Sequence, residues 1–198
     1  MENIWDKRYS DTKYIYGIEP NTFFKNWLDK QKPSEILFPA EGEGRNAVYA
    51  AMQGWNVTAF DSSKEGKKKA LLLAKEYNTE VLYEVVDAEI YTPNKKFDAI
   101  VLIFAHFPPN LRNLIHKNML SFLKPGGHLV LESFSKDQLK YGTGGPKNEA
   151  LLYSINELKS DFSDLETLRM KKLVRFLNEG VLHQGESDVI QLIAKKIV

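Results

Sequence analysis

The sequence contains no cysteine among its 198 residues, and this absence excludes several kinds of site. A chain without thiols has no disulfide framework, no cysteine nucleophile and no thiolate metal ligand. No run approaches the roughly 18 consecutive apolar residues that a membrane-spanning helix needs. The first residues also lack the basic and apolar stretches of an export signal. We therefore expect a cytoplasmic protein that has no membrane partner.

Net charge is also small, since 27 basic residues and 26 acidic residues leave a formal charge of +1. Such a chain has no long-range field that attracts nucleic acid, and its short basic runs, Lys67 to Lys69 and Lys171 to Lys172, are typical of solvated surfaces. We expect no nucleic-acid partner. Hydrophobic residues make up 43% and aromatic residues 12% of the chain, which indicates a folded core.

Hydrophobic periodicity predicts alternating strands and helices over about residues 35 to 134. The predicted strands are Glu35 to Phe38, Asn56 to Phe60, Val81 to Val86, Phe97 to Phe104 and His128 to Phe134. The predicted helices are Thr22 to Lys30 after an Asn21 cap, Arg45 to Gln53, a helix that runs through Lys67 to Tyr77 after a cap at Ser62 or Ser63, and Pro108 to about Phe122. This order predicts an α/β fold with a doubly wound, Rossmann-like, mostly parallel sheet.

The final third of the chain has a different pattern. A glycine-rich loop beginning at Tyr141 and a short helix at Ile155 to Asp161 precede two β-like runs, Leu165 to Leu177 and Asp188 to Ile197. These runs predict a C-terminal antiparallel hairpin. We expect one domain over residues 1–198, divided into an N-terminal lid and helix (1–33), a nucleotide-binding half (34–135) and an acceptor-side segment with the closing hairpin (136–198).

Candidate ligand-binding residues follow the first three predicted strands. Gly42 and Gly44 come after the first, Asp61 after the second, and Asp87 with Ala88 after the third. Ligands of open α/β sheets lie beyond the carboxyl ends of the strands, where glycines allow close backbone approach and a carboxylate accepts the ribose hydroxyls. The three strand ends together predict a site for an adenosine-type ligand.

Two adenosine cofactors are compatible with this pattern. Gly42 to Ala47 fits the G-x-G-x-x-A pattern of dinucleotide sites, so an NAD-dependent oxidoreductase is one alternative. A pyrophosphate at this turn would meet Glu41 and Glu43, which oppose it unless Arg45 compensates. S-adenosylmethionine instead presents a sulfonium and an ammonium, for which Glu41 is favourable. The charges therefore favour S-adenosylmethionine.

The chain resembles the class I S-adenosylmethionine-dependent methyltransferases, and most closely their tellurite-resistance, thiopurine-methyltransferase-like branch. The matching segments are Trp5-Asp-Lys-Arg-Tyr, Tyr16-Gly-Ile-Glu-Pro-Asn, Gly42-Glu-Gly-Arg-Asn-Ala-Val-Tyr, Phe60-Asp-Ser-Ser, Leu123-Lys-Pro-Gly-Gly, Glu179-Gly and His183-Gln-Gly. The resemblance implies a cofactor site formed by Ala40, Glu41, Gly42, Gly44, Arg45, Asp61, Ser62, Asp87, Ala88, Ile103 and Phe104. It also implies an N-terminal lid containing Tyr9 and Tyr16.

Two positions depart from the family pattern. Phe38 replaces an acidic residue near the end of the first strand, and Ala40 replaces the first loop glycine. A second alternative is therefore a protein that binds the cofactor but has lost catalytic activity. Glu41 could instead supply the missing carboxylate from a shifted position.

The expected acceptor is a small molecule, such as a thiol or a chalcogen oxyanion, which needs no base. For other acceptors His106 is the candidate catalytic base, directly after the fourth strand. The acceptor-side candidates are Tyr16, His106, Arg112, Tyr141 and Arg175, with both arginines suited to an anion. We expect no metal, because His183 and Glu186 are too few ligands. The sequence leaves open whether the protein is a monomer or a homodimer.

Overall fold

The computed structural model describes residues 4–197, which form six α-helices, two short 3-10 helices and seven strands. The helices are α1 (Ile4–Tyr9), α2 (Thr22–Leu28), α3 (Arg45–Met52), α4 (Lys64–Glu76), α5 (Pro109–Ser121) and α6 (Ile155–Asp161). The strands are β1 (Glu35–Pro39), β2 (Asn56–Asp61), β3 (Leu82–Val85), β4 (Phe97–Ile103), β5 (Leu123–Phe134), β6 (Leu165–Asn178) and β7 (Gln184–Lys196). None of the described helices is both long and apolar enough to cross a membrane.

All seven strands belong to one sheet, in the order β3-β2-β1-β4-β5-β7-β6. The first five strands pair in parallel, and β7 pairs antiparallel with both β5 and β6. The expected doubly wound sheet with a closing antiparallel hairpin is therefore confirmed. The strand order reverses between β1 and β4, and the crevice at such a reversal is where open α/β sheets bind ligands.

Both faces of the sheet are covered, because side chains of its central strands alternate between two apolar clusters. Along β1, Leu37 belongs to the cluster that includes α5 and α6, whereas Ile36 and Phe38 belong to the cluster that includes α2, α3 and α4. Burial on both faces explains why these strands are almost continuously apolar in sequence.

Polar caps set the starts of the helices where the sequence placed them. Asn21 accepts a hydrogen bond from the Phe24 amide at the start of α2, and Ser63 accepts one from the Gly66 amide at the start of α4. These caps satisfy amide groups that have no partner within the helix, and they fix where the chain leaves each loop.

The structure corrects two boundaries in the second half of the chain. β5 begins at Leu123 and not at the predicted His128, because Leu123 already pairs with Phe97 before the register shifts, so the Lys124-Pro-Gly-Gly segment lies within the strand. Similarly, β7 begins at Gln184 and not at Asp188, because pairing with β6 continues to Asn178. In both cases the cross-strand partner, which is distant in sequence, extends the strand through residues that favour turns locally.

Candidate cofactor and acceptor site

A cavity of about 920 Å³ lies at the carboxyl ends of the parallel strands. Nine of the expected cofactor residues line it: Ala40, Glu41, Arg45, Asp61, Ser62, Asp87, Ala88, Ile103 and Phe104. The cavity is at the upper end of the roughly 300 to 1,000 Å³ typical of small-molecule sites, so it has room for more than a small ligand. Residues of the N-terminal segment and of the loop after β5 complete its wall.

Asp61, the last residue of β2, is held by two backbone amides. Its Oδ2 accepts a hydrogen bond from the Gly42 amide at 3.0 Å, and its Oδ1 accepts one from the Ser63 amide at 2.9 Å. Burial raises the pKa of this carboxyl above its ordinary value, although the amides oppose that shift. Each carboxylate oxygen can accept a further hydrogen bond. Asp61 is therefore a fixed acceptor for a pair of ligand hydroxyls.

Glu41 caps the start of α3 from the loop after β1. Its Oε1 accepts hydrogen bonds from the Asn46 amide at 2.9 Å and the Ala47 amide at 2.8 Å. Burial nevertheless raises the pKa of Glu41 to about 7, against the effect of these amides and of Arg45. A cation in the cavity would favour the ionised form of this carboxyl.

The two glycines of the first loop permit close packing and are not among the lining residues. A Cβ at Gly44, where φ is +89°, would lie 2.4 Å from the Ala70 Cβ, and a Cβ at Gly42 would lie 2.6 Å from the Tyr9 hydroxyl. The loop therefore fits tightly against α4 and beneath Tyr9. Glycine is required at both positions because a side chain there would overlap neighbouring residues of the protein itself.

Backbone strain occurs at two residues that line the cavity. Ala40 and Phe104, which follow β1 and β4, have φ angles of 50° and 52°, in the left-handed region that disfavours residues with a Cβ. Such strain costs on the order of 1 to 3 kcal/mol per residue and is concentrated at ligand sites. Phe38, in contrast, is fully buried and packs edge-on against Phe24.

Arg45 and Glu43 are each paired with a residue outside the cavity wall. Arg45 donates to Glu179 Oε2 at 2.6 Å, while Glu43 Oε1 lies 2.5 Å from the Lys69 ammonium. Although burial raises the pKa of Glu179, Arg45 and Arg175 hold it below its ordinary value. The charges of Arg45 and Glu43 are thus largely neutralised within the protein.

The N-terminal strap, residues 4–20, passes over one side of the cavity. Trp5, Arg8, Tyr9, Tyr16 and Gly17 of this segment line it. Lys69 fastens the strap through hydrogen bonds to the carbonyls of Asp11 at 2.8 Å and Lys13 at 2.5 Å. The Val181 amide donates to the Ile15 carbonyl at 3.0 Å, which joins the strap to the β6–β7 connection.

His106 lies in the cavity wall after β4 and has a defined tautomer. Its Nδ1 lies 2.8 Å from the Leu151 carbonyl oxygen, which only accepts, so Nδ1 is the protonated nitrogen. Burial lowers the pKa of His106 to about 4, so the ring is neutral near pH 7. Nε2 consequently has a lone pair, and it is buried with no hydrogen-bond partner in the described part of the chain.

His183 was not among the sequence-based site residues, yet its ring lies at the centre of the aromatic part of the cavity. Its ring centroid is 4.5 Å from that of Tyr16, 4.6 Å from that of Phe104 and 5.2 Å from that of Phe134. The only available signal was its position in the His183-Gln-Gly segment of the family resemblance. Its contacts with the strap and with the residue that follows β4 join segments distant in sequence.

Three of the acceptor-side candidates are not among the residues that line the cavity. Arg112 on α5 pairs with Glu157 at 3.1 Å and with Asp161 at 3.5 Å. Arg175 on β6 pairs with Glu132 and with Glu179. Tyr141 precedes the lining segment 142–148. The structure thus brings Tyr16 and His106 to the cavity and directs both arginines to carboxylates elsewhere.

Comparison with known proteins relates part of the sheet to a protein family. Residues 36–127, from β1 into the start of β5, match a family model described as "Methyltransferase domain". This segment is therefore similar to the methyltransferase domains of that family. It includes β1 to β4 and the strand ends that line the cavity.

Curated relatives are similar to this chain at low identity. The ubiquinone biosynthesis O-methyltransferase of Rickettsia akari is 29% identical over 152 residues, which cover 72% of this chain and 59% of that protein. The probable S-adenosyl-L-methionine-dependent methyltransferase TehB of Haemophilus influenzae is 24% identical over 193 residues, which cover 94% of this chain and 61% of that protein. The chain thus spans about three fifths of the length of these relatives.

Solved structures share the fold of this chain. TehB from Haemophilus influenzae superposes with a TM-score of 0.75 and 20% identity over 97% of this chain and 65% of that one. The N-methyltransferase NodS from Bradyrhizobium japonicum, in complex with S-adenosyl-L-homocysteine, has a TM-score of 0.68 and 15% identity over 98% of this chain and 89% of that one.

S-adenosylmethionine is the cofactor of such domains, and the residues of this cavity fit it. The Asp61 carboxylate retains acceptor capacity for ribose hydroxyls after binding two amides. A nearby cation favours the ionised form of the buried Glu41 carboxyl, and this cofactor has two cationic groups, a sulfonium and an ammonium.

Proposed function

We propose that this protein transfers the methyl group of S-adenosylmethionine to a small-molecule acceptor. The observation that best supports this proposal is that a single cavity contains both carboxylates at the strand ends and a group of aromatic rings. We call the second part the aromatic chamber; its walls are Tyr16, Phe104, His106, Phe134 and His183. The carboxylates suit a cationic nucleoside, and the chamber suits a second, less polar molecule. A protein that only bound the nucleoside would not need the second region.

Each part of the cavity has a role in this proposal. Asp61 binds the ribose, Asp87 and Ala88 contact the adenine edge, and Glu41 balances the positive end of the cofactor. The bound cofactor supplies an electrophilic methyl group. The protein holds the acceptor against it and excludes water, since most of the acceleration of such a displacement can come from positioning. Tyr9 and Tyr16 of the strap contribute to that exclusion.

The names of the relatives do not agree on an acceptor. One set is named for ubiquinone biosynthesis O-methylation, and TehB is named only as a methyltransferase. These names leave a thiol and a chalcogen oxyanion among the proposed acceptors. The proposal therefore specifies only that the acceptor is a small molecule.

A cofactor-binding protein without transferase activity is the second candidate, because two residues depart from the family pattern. Phe38 faces the core in place of an acidic residue, and Ala40 is strained where the family has glycine. Glu41, held by two amides at the cavity wall, offers a carboxylate close to the altered loop. An NAD-dependent oxidoreductase is disfavoured by this same carboxylate, which would lie near a pyrophosphate.

Titration calorimetry with S-adenosylmethionine, S-adenosylhomocysteine and NAD tests the cofactor assignment. We expect both adenosyl ligands to bind and NAD not to bind. Asp61→Ala should weaken adenosyl binding at least tenfold, because it removes the ribose acceptor and leaves two amides without their partner. Asp164→Ala, an exposed carboxylate outside the cavity, is the matched control.

Thermal melting of both variants separates loss of binding from loss of folding. Binding of NAD alone, or unchanged affinity in a folded Asp61→Ala protein, would contradict the assignment. Methyl transfer to a panel of thiols, phenols and oxyanions then distinguishes an active transferase from a degenerate binder.

A further inference from the structure

The charges that line the cavity restrict the acceptor, if the proposed methyl transfer is correct. Five carboxylates, Glu41, Glu43, Asp61, Asp87 and Glu89, and three cations, Arg8, Arg45 and Lys147, line it. Glu43 is paired with Lys69 and Arg45 with Glu179, and neither partner lines the cavity. Four carboxylates and two cations are then left. Of these carboxylates, Asp87 and Glu89 are exposed, and Glu41 is partly protonated near pH 7 because burial raises its pKa to about 7.

Neither remaining cation is placed to bind a buried anion. Lys147 is exposed on the loop after β5. Arg8 is exposed on the strap, where it donates to the Tyr16 hydroxyl at 3.1 Å and lies over the Trp5 ring. An anion transferred from water into such a cavity loses solvation without gaining a partner. The cavity therefore disfavours an oxyanion.

Both histidines of the aromatic chamber are neutral near pH 7. Burial lowers the pKa of His183, although Glu179 opposes the shift, and burial lowers that of His106 to about 4. Nδ1 of His106 donates a hydrogen bond to the Leu151 carbonyl. The buried Nε2 is therefore an acceptor, and it has no hydrogen-bond partner among residues 4–197. A buried unsatisfied acceptor destabilises the protein, and a ligand that donates a hydrogen bond to it would remove that penalty.

The rings around His106 and His183 are apolar and face the same space. The Phe104 and Phe134 ring centroids are 4.5 Å apart, the His106 ring is parallel to that of Phe134 within 10°, and Phe107 also lines the cavity. Aromatic walls favour an aromatic ligand through stacked and edge contacts. We propose that the acceptor is a neutral aromatic molecule whose nucleophilic oxygen or nitrogen donates a hydrogen bond to Nε2 of His106.

The proposed transfer balances in charge and atoms. The bond from the acceptor heteroatom to the methyl carbon forms as the carbon–sulfur bond breaks, and the acceptor proton passes to Nε2. The positive charge lost by the sulfonium reappears on the imidazole, so the net charge of the cavity does not change. The imidazolium then releases its proton to solvent as the products leave.

Paired binding measurements test the acceptor class. Phenol, anisole and selenite are titrated into protein saturated with S-adenosylhomocysteine, and the imidazole nitrogen resonances report the tautomer of His106. Anisole carries a methyl group in place of the hydroxyl hydrogen of phenol and cannot donate a hydrogen bond, so we expect phenol to bind about tenfold more tightly. His106→Phe should reduce that preference to less than about twofold, whereas His128→Phe, outside the cavity, should preserve it.

The two proposals fail in different ways. Absence of S-adenosylhomocysteine binding refutes the proposed function itself. If that ligand binds, selenite binding more tightly than phenol, or no preference for phenol over anisole, including no binding of either, overturns the acceptor inference alone. A preference for phenol that survives in folded His106→Phe protein would also overturn it.

Discussion

Replacing Lys69 with methionine tests whether one buried ammonium fastens the strap over the cavity. Lys69 has a side chain only 10% exposed, and that of its partner Glu43 is 2% exposed. Its ammonium also donates to the carbonyls of Asp11 and Lys13. Methionine preserves most of the length and the apolar character of the side chain but provides no donor.

The expected cost follows from the groups left behind. Removing one member of a buried ion pair costs roughly 3 to 5 kcal/mol, because the other charge stays buried without a partner. If the strap detaches, water can hydrate Glu43. The observed loss in the free energy of unfolding therefore cannot exceed the free energy of that local opening. Lys69→Met with Glu43→Gln should recover part of the loss, because no uncompensated charge remains.

Thermal melting and limited proteolysis measure these effects separately. A loss of about 3 kcal/mol lowers Tm by roughly 6 to 12 °C in a chain of this size, while detachment makes the strap a preferred cleavage site. Lys68→Met is the matched control, because Lys68 forms an exposed ion pair with Glu65. An unchanged Tm together with an intact strap in Lys69→Met would refute the reasoning, as would equal effects of the two lysine substitutions.

Two further predictions concern the loop after β1. Because the pKa of Glu41 is about 7, its carboxyl is increasingly protonated below that pH, so affinity for S-adenosylmethionine should fall as pH decreases from 7. The slope is at most about tenfold per pH unit, and calorimetry from about pH 5.5 to 8 should show a flatter profile for Glu41→Gln. Gly44→Ala should destabilise the fold by roughly 3 kcal/mol, since its φ is positive and its Cβ would overlap Ala70. Denaturant unfolding of Gly44→Ala within 1 kcal/mol of the parent would contradict this packing argument.

The sequence by itself determined the sheet architecture and the strand ends that form the cofactor part of the cavity. Strand and helix periodicities are local, as are the caps at Asn21 and Ser63, and parallel strands necessarily place their carboxyl ends at one edge. Asp61 and Asp87 therefore reach the cavity by the order of elements alone.

Only the tertiary structure decided which polar side chains are free to meet a ligand. Arg112 and Arg175 look equivalent to other candidates in sequence, but α6 and the β5–β7 region supply the carboxylates that bind them. His183 reaches the chamber through contacts with Tyr16 and Phe104, which lie more than 70 residues away in the chain. The physical reason is that ion pairing and burial depend on residues that folding brings together from distant parts of the chain. The periodicity of a local segment does not indicate which residues these are.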